Sequence, residues 1–258
     1  MEFSHAVKEI KFEYCSKIGS ETIIKIAENC PDLRKLSIIR NFNEKSARID
    51  DYCLEVLSNR CPNLERLELC YSRKFDGSIC QHLGNGGLAN LVYLNLSYCP
   101  IQVSMEPIVH GCPRLHELKL AGDSWIRKLV LHSIARHPNL RVFHMGHFEH
   151  SDIDCTHVKP QDPVFSNYST KGIVVAQTFS DPENFPALHT LYLEKFCDLT
   201  GFLVKIIAQI IEESGRHPIQ FKYNENMSTL TANYGVGKDV DEDAQDKSND
   251  SMSDFDIF

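Results

Sequence analysis

A chain of 258 residues, 42% hydrophobic and 24% charged, has an ordinary globular composition and can bury a sizeable core as one domain or two small ones. No apolar run approaches the roughly eighteen residues that span a bilayer, and the opening "MEFSHAVKEIKFEYC" lacks a signal-peptide pattern, so no membrane partner and a cytoplasmic or nuclear location are expected. The net charge of −8 is concentrated in residues 235–258, which hold eight acids and two lysines, and this distribution argues against nucleic-acid binding driven by bulk charge.

Along the chain one phrase recurs. It reads "CPDLRKLSI" from Cys30, "CPNLERLEL" from Cys61 and "CPRLHELKL" from Cys112, with looser copies "LANLVYLNL" from Leu88, "HPNLRVFHM" from His137 and "FPALHTLYL" from Phe185. Each contains L-x-x-L-x-L or a close substitute, and the first leucines (Leu33, Leu64, Leu91, Leu115, Leu140, Leu188) are 31, 27, 24, 25 and 48 residues apart. The fourth and sixth places are two apart, so their side chains share one face of a short strand, while the residue between them points to solvent. Between strands an amphipathic stretch returns the chain. In "SETIIKIAENC" Ile23, Ile26 and Ala27 fall on one side, and Ser20 and Thr22, like Ser169 and Thr170 later, suit helix N-caps. One such unit cannot bury its apolar edge alone, whereas stacked units share a continuous core.

The stretch "EIKFEYCSKIGSETIIKIAENCPDL" resembles the cysteine-containing leucine-rich repeat of F-box/leucine-rich-repeat proteins. Cys15, Asn41 and Cys99 occupy the strand-closing place of that pattern, and Cys30, Cys61 and Cys112 precede the proline that opens the next repeat. The resemblance covers roughly residues 8–223. Asp123, Ser72 and Phe148 depart from it at the closing place, and Cys197 sits one place late. It implies an α/β leucine-rich-repeat solenoid, a curved horseshoe with parallel strands on the concave face and helices or turns on the convex face. The expected domains are 1–223, about seven repeats with an insertion near 149–168, and a disordered acidic tail over 224–258. The first strand begins near Val7, which leaves no room ahead of it for an F-box; a truncated isoform, an incomplete gene model or a stand-alone repeat protein is expected.

Read by repeat position, the outward strand residues are Lys11, Ser37, Glu68, Asn95, Lys119, His144 and Tyr192, and beside them Lys35, Arg66, Tyr93, Glu117, Val142 and Thr190. Past the strand come Tyr14, Arg40, Tyr71, Tyr98, Gly122, His147 and Lys195. Aromatic residues mixed with both signs of charge suit protein recognition. The partner-binding candidates are therefore Lys35, Arg66, Glu68, Tyr71, Tyr93, Asn95, Tyr98, Glu117, Lys119, His144 and Tyr192.

The stretch "HMGHFEHSDIDCTH" offers His144, His147, His150, Cys155 and His157 as metal ligands, but H-x-x-H at a strand end fixes no ligand geometry, and a polar rim with no metal and no cofactor is favoured. The repeat cysteines are expected to be structural, because no paired C-x-x-C occurs and nothing orients a base beside Cys155. In the tail, Ser251 and Ser253 each have an acid three places on, which suits an acid-directed kinase, while "SDFDIF" suits a short docking peptide.

The expected function is protein recognition without catalysis. The resemblance implies the substrate-binding part of a cullin-type ubiquitin ligase receptor, with a protein substrate on the concave face and the ligase adaptor as partner only where an upstream F-box exists. The alternatives are a stand-alone scaffold or inhibitor, and a metal-binding protein using the histidine-rich stretch.

Overall fold

The computed structural model describes residues 7–15, 17–40, 49–72, 79–84, 87–99, 101, 103–120, 128–145, 178–179, 181, 183–194, 208–209, 211–212, 218–225 and 228–232. Each copy of the repeated phrase forms a strand that includes its third to fifth places. The strands are β1 (Glu9–Glu13), β2 (Lys35–Ile39), β3 (Arg66–Cys70), β4 (Tyr93–Asn95), β5 (Glu117–Leu120), β6 (Val142–Met145) and β7 (Thr190–Glu194). β8 (Gln220–Glu225) and β9 (Ser228–Ala232) follow. The helices α1 (Ser20–Asn29), α2 (Asp51–Arg60), α3 (Ile79–Gly84), α4 (Glu106–Gly111) and α5 (Lys128–Ala135) return the chain between the early strands. The strands lie in one open sheet in chain order; β1 to β8 pair in parallel and β9 closes antiparallel on β8. This α/β arrangement is consistent with a solenoid-like stack.

Packing follows from the phrase. The first, fourth and sixth places of successive copies, from Leu33, Leu36 and Ile38 to Leu188, Leu191 and Leu193, are all at most 3% exposed. Full burial of each such side chain contributes about 1.5–3 kcal/mol, and no unit could achieve it without neighbours on both sides. Among the described residues no strand precedes β1, and Val7, Ile10 and Phe12 are only partly buried.

Backbone bonds repeat with the same period. The carbonyl of Lys8 accepts from Arg34 and Lys35, that of Arg34 from Glu65 and Arg66, and that of Glu65 from Val92 and Tyr93. The pattern continues through Val92, His116, Arg141 and His189, so the starts of β2 to β8 are each tied to the strand before. A second ladder joins the turns: Asn90 Nδ2 donates to the Pro62 carbonyl (3.1 Å), and Asn139 Nδ2 to that of Pro113 (2.8 Å).

One expectation is corrected. Ser20 and Thr22 do not cap α1. Gly19 is its N-cap, and Ser20 Oγ instead accepts from the Asp50 N–H of the next unit at 2.9 Å. The hydroxyl is better used there, because Asp50 itself caps α2 by accepting from Cys53 N–H. A further strand pair, β8 with β9, follows these units. In "STLTA" β-branched residues alternate along β9, which satisfies the open edge of β8 as far as Ala232. Residues 233–258 and the expected insertion at 149–168 lie outside the described residues.

Candidate binding face

The parallel register places Lys11, Ser37, Glu68, Asn95, Lys119, His144, Tyr192 and Lys222 side by side on neighbouring strands. The row beside it runs Glu9, Lys35, Arg66, Tyr93, Glu117, Val142, Thr190 and Gln220. Lys222 and Gln220 extend both rows beyond the sequence reading, because "HPIQFKYNE" has no leucine to mark it; its residues at the fourth and sixth places are Phe221 and Tyr223.

In the first half of the face the charges answer one another. Lys11 Nζ lies 2.7 Å from Glu13 Oε1, Lys35 Nζ 3.0 Å from Glu9 Oε2, and Arg66 Nη2 2.8 Å from Glu68 Oε1. Ser37 Oγ donates to the other oxygen of Glu68 at 2.5 Å. Burial pushes the Glu68 carboxyl up, but the hydrogen bonds from Ser37, Arg66 and Tyr93 outweigh it and hold the group below its ordinary range. The Arg66 guanidinium sits 3.4 Å from the centre of the Tyr93 ring, and burial raises the Tyr93 hydroxyl above its ordinary value. Glu68 and Tyr93 are consequently only 8% and 5% exposed, so these two candidates present little surface despite their outward register.

The second half differs. Lys119 Nζ and His144 Nε2 each lie 3.3 Å from the same oxygen, Glu117 Oε1. The His144 and Tyr192 rings stack with centroids 3.9 Å apart and planes within 4°, and Lys222 Nζ donates to the Tyr192 hydroxyl at 3.2 Å. Burial and then the Lys119 and Lys222 charges push the His144 pKa down to about 3, so the ring is neutral at pH 7. With Lys119 already answering Glu117, the neutral imidazole serves as donor and stacking surface.

At the strand exits, Tyr14, Tyr71 and Tyr98 have φ of 57°, 62° and 61°. This left-handed turn tucks the following residue under the sheet: Ser72 and Cys99 are buried, and Cys99 Sγ donates to the Leu69 carbonyl at 2.9 Å. Glycine or asparagine would adopt the turn at lower cost, whereas a tyrosine there costs roughly 1–2 kcal/mol. The side chains offset part of that cost, because the Tyr71 and Tyr98 rings stack 4.1 Å apart. Tyr14 is 68% exposed. Arg40, at the same place in the second unit, is buried.

The cysteines that open the phrase bond across units. Cys61 Sγ donates to the Cys30 carbonyl at 3.4 Å and Cys112 Sγ to that of Leu83 at 3.5 Å. Burial pushes their thiols up to about 11 and about 12, and those of Cys53, Cys70 and Cys80 to about 12, so none of these is a thiolate nucleophile at neutral pH. The last three escaped the sequence reading because they lie off the repeated places. Among the described residues no three His, Cys, Asp or Glu converge as a metal site, and none of the described helices is long and apolar enough to cross a membrane. His147, His150, Cys155 and His157, like Asn41, Gly122, Asp123, Phe148, Lys195, Cys197, Ser251 and Ser253, lie outside the described residues.

No family model matches the chain. The F-box protein SKIP1 of Arabidopsis thaliana is 34% identical over 133 residues, which cover 44% of this chain and 41% of that protein, so the chain spans less than half of that relative's length. In a comparison of structures, the crystal structure of the yeast Rad7 and Elc1 complex covers 75% of this chain and 71% of the matched chain, at 14% identity and a TM-score of 0.35. A likeness of that size says nothing of what the chain binds.

Proposed function

We propose that this chain is a protein-recognition module, the substrate-binding part of a cullin-type ubiquitin ligase receptor. In this reading residues 1–223 form a leucine-rich-repeat solenoid with its strands on the concave side. The observation that carries recognition is the pair of in-register rows, where each of eight strands presents at least one charged or aromatic residue. Tyr71, Tyr98, Lys119, His144 and Tyr192 are its contact residues, with Lys35, Arg66, Asn95 and Glu117 beside them, while Glu68 and Tyr93 brace the face from within. The ligase connection rests on the likeness to F-box/leucine-rich-repeat proteins and to a relative described as an F-box protein. Transfer chemistry belongs to other subunits of such a ligase, so the chain itself needs no catalytic residue.

Affinity purification of the full-length natural protein from cells tests both parts. Recovery of the cullin adaptor together with a substrate protein is expected. Recovery of a partner without the adaptor would replace the ligase reading with a stand-alone scaffold. Substituting Tyr71, Tyr98 and Lys119 together by alanine should weaken capture of the substrate at least tenfold while the far-ultraviolet circular dichroism stays unchanged; undiminished capture would remove the face from the mechanism.

A further inference from the structure

We propose that the acidic C-terminal segment of this same chain, residues 233–258, docks on the strip Lys119–His144–Tyr192–Lys222. The four residues sit on adjacent strands in register, with neighbouring strands roughly 4.8 Å apart, so the strip is about 14 Å long. Its electrostatics set it apart from the rest of the face. Lys11, Lys35 and Arg66 each have a carboxylate of their own. In the strip a single carboxylate, Glu117, serves both Lys119 and His144, and among the described residues Lys222 reaches only the Tyr192 hydroxyl. Among the described side chains, two ammonium groups thus flank a flat aromatic stack and share one carboxylate.

The C-terminal segment supplies the complement. Residues 235–258 carry eight acids against two lysines. The closing "SDFDIF" alternates Asp254 and Asp256 with Phe255 and Ile257, so in an extended conformation its charges lie along one side and its apolar groups along the other. Position favours the contact as well. β9 ends at Ala232, which pairs with Phe221, the neighbour of Lys222. The segment therefore begins beside the strip, and its 26 residues reach on the order of 85 Å when extended. Such a tether holds the acids at an effective concentration on the order of millimolar, enough for a weak ionic contact to be populated. Docking requires no outside partner, so it stands or falls separately from the ligase reading; where both hold, the segment competes for part of the recognition face.

Carbodiimide coupling of the full chain, which joins a lysine amine to an adjacent carboxylate, tests the contact directly. Mass spectrometry should find Lys119 or Lys222 coupled to carboxylates within residues 239–256 of the same molecule, with a yield at least fivefold lower in 1 M salt. Coupling only between isotopically distinguished copies, or none to residues beyond 238, would overturn the proposal. As a second measure, the variant Lys119→Gln/Lys222→Gln should let a protease specific for acidic residues clip the segment at least threefold faster, with an unchanged melting temperature. An unchanged clipping rate in a folded variant would also overturn it.

Discussion

His137 stands where other copies of the phrase carry cysteine, and it extends the same inter-unit bond. Its Nδ1 accepts from the Asn139 N–H at 3.2 Å, so the neutral ring carries its proton on Nε2, which donates to the Cys112 carbonyl at 3.1 Å. The ring is 0% exposed. His137→Ala leaves a cavity and two unsatisfied backbone groups, and should cost about 2–4 kcal/mol in urea unfolding, with His137→Cys recovering part of the loss. Acid should act through the same chemistry. Burial lowers the pKa of both His137 and His144 in the folded state, the latter to about 3. A histidine held neutral in the fold contributes stability that is complete above the unfolded value near 6.5 and is lost as pH falls below it toward the folded value. Between pH 7 and pH 5 the loss through His144 is on the order of 2 kcal/mol. His144→Phe, which keeps a ring against Tyr192, should therefore lose less stability over that interval than the unchanged protein. An equal loss in both would show that His144 takes up its proton normally.

At the scale of elements, close approach of backbones decides which substitutions are tolerated. α3 and α4 meet through glycines at their C-terminal ends, where a Cβ on Gly111 would fall on the Gly84 carbonyl oxygen and one on Gly84 would fall on the Pro107 carbonyl. Alanine in a helix is ordinarily about 1 kcal/mol better than glycine. Here the sign should reverse: Gly111→Ala is expected to destabilise by about 1–3 kcal/mol, read as a lower melting temperature, because backbone rather than a flexible side chain must move. The strands show the opposite case, where one short phrase is enough. L-x-x-L-x-L fixes which side chains enter the core, and the pleat then fixes which rows face outward, so the central row on β1 to β7 and the row beside it on β2 to β7 were legible before any coordinates. Lys222 was not, because its strand carries phenylalanine and tyrosine in place of leucine.

The described strands stack in chain order with their apolar side chains packed between neighbours, consistent with a line of units each stabilised by the next. Leu67, Leu94 and Leu118 are fully buried between flanking strands, whereas Ile10 and Phe12 at the β1 edge are partly exposed. Hydrogen exchange should accordingly show β1 opening at a lower free energy than β3, β4 and β5; equal protection along the sheet would mean that the molecule opens as one cooperative block. Sequence alone determined the repeat, the strands β1 to β7 and their core, because a periodic apolar pattern has few ways to be buried, and it also located the charged tail. Only the tertiary structure decided how the outward residues act. Glu68 and Tyr93 were drawn inward by Arg66 and Ser37, His144 was laid flat and neutral on Tyr192, and Lys222 was left with a hydroxyl for a partner. These outcomes depend on contacts between residues 27 to 48 positions apart in the chain, which a period can align but whose side-chain pairings it does not specify.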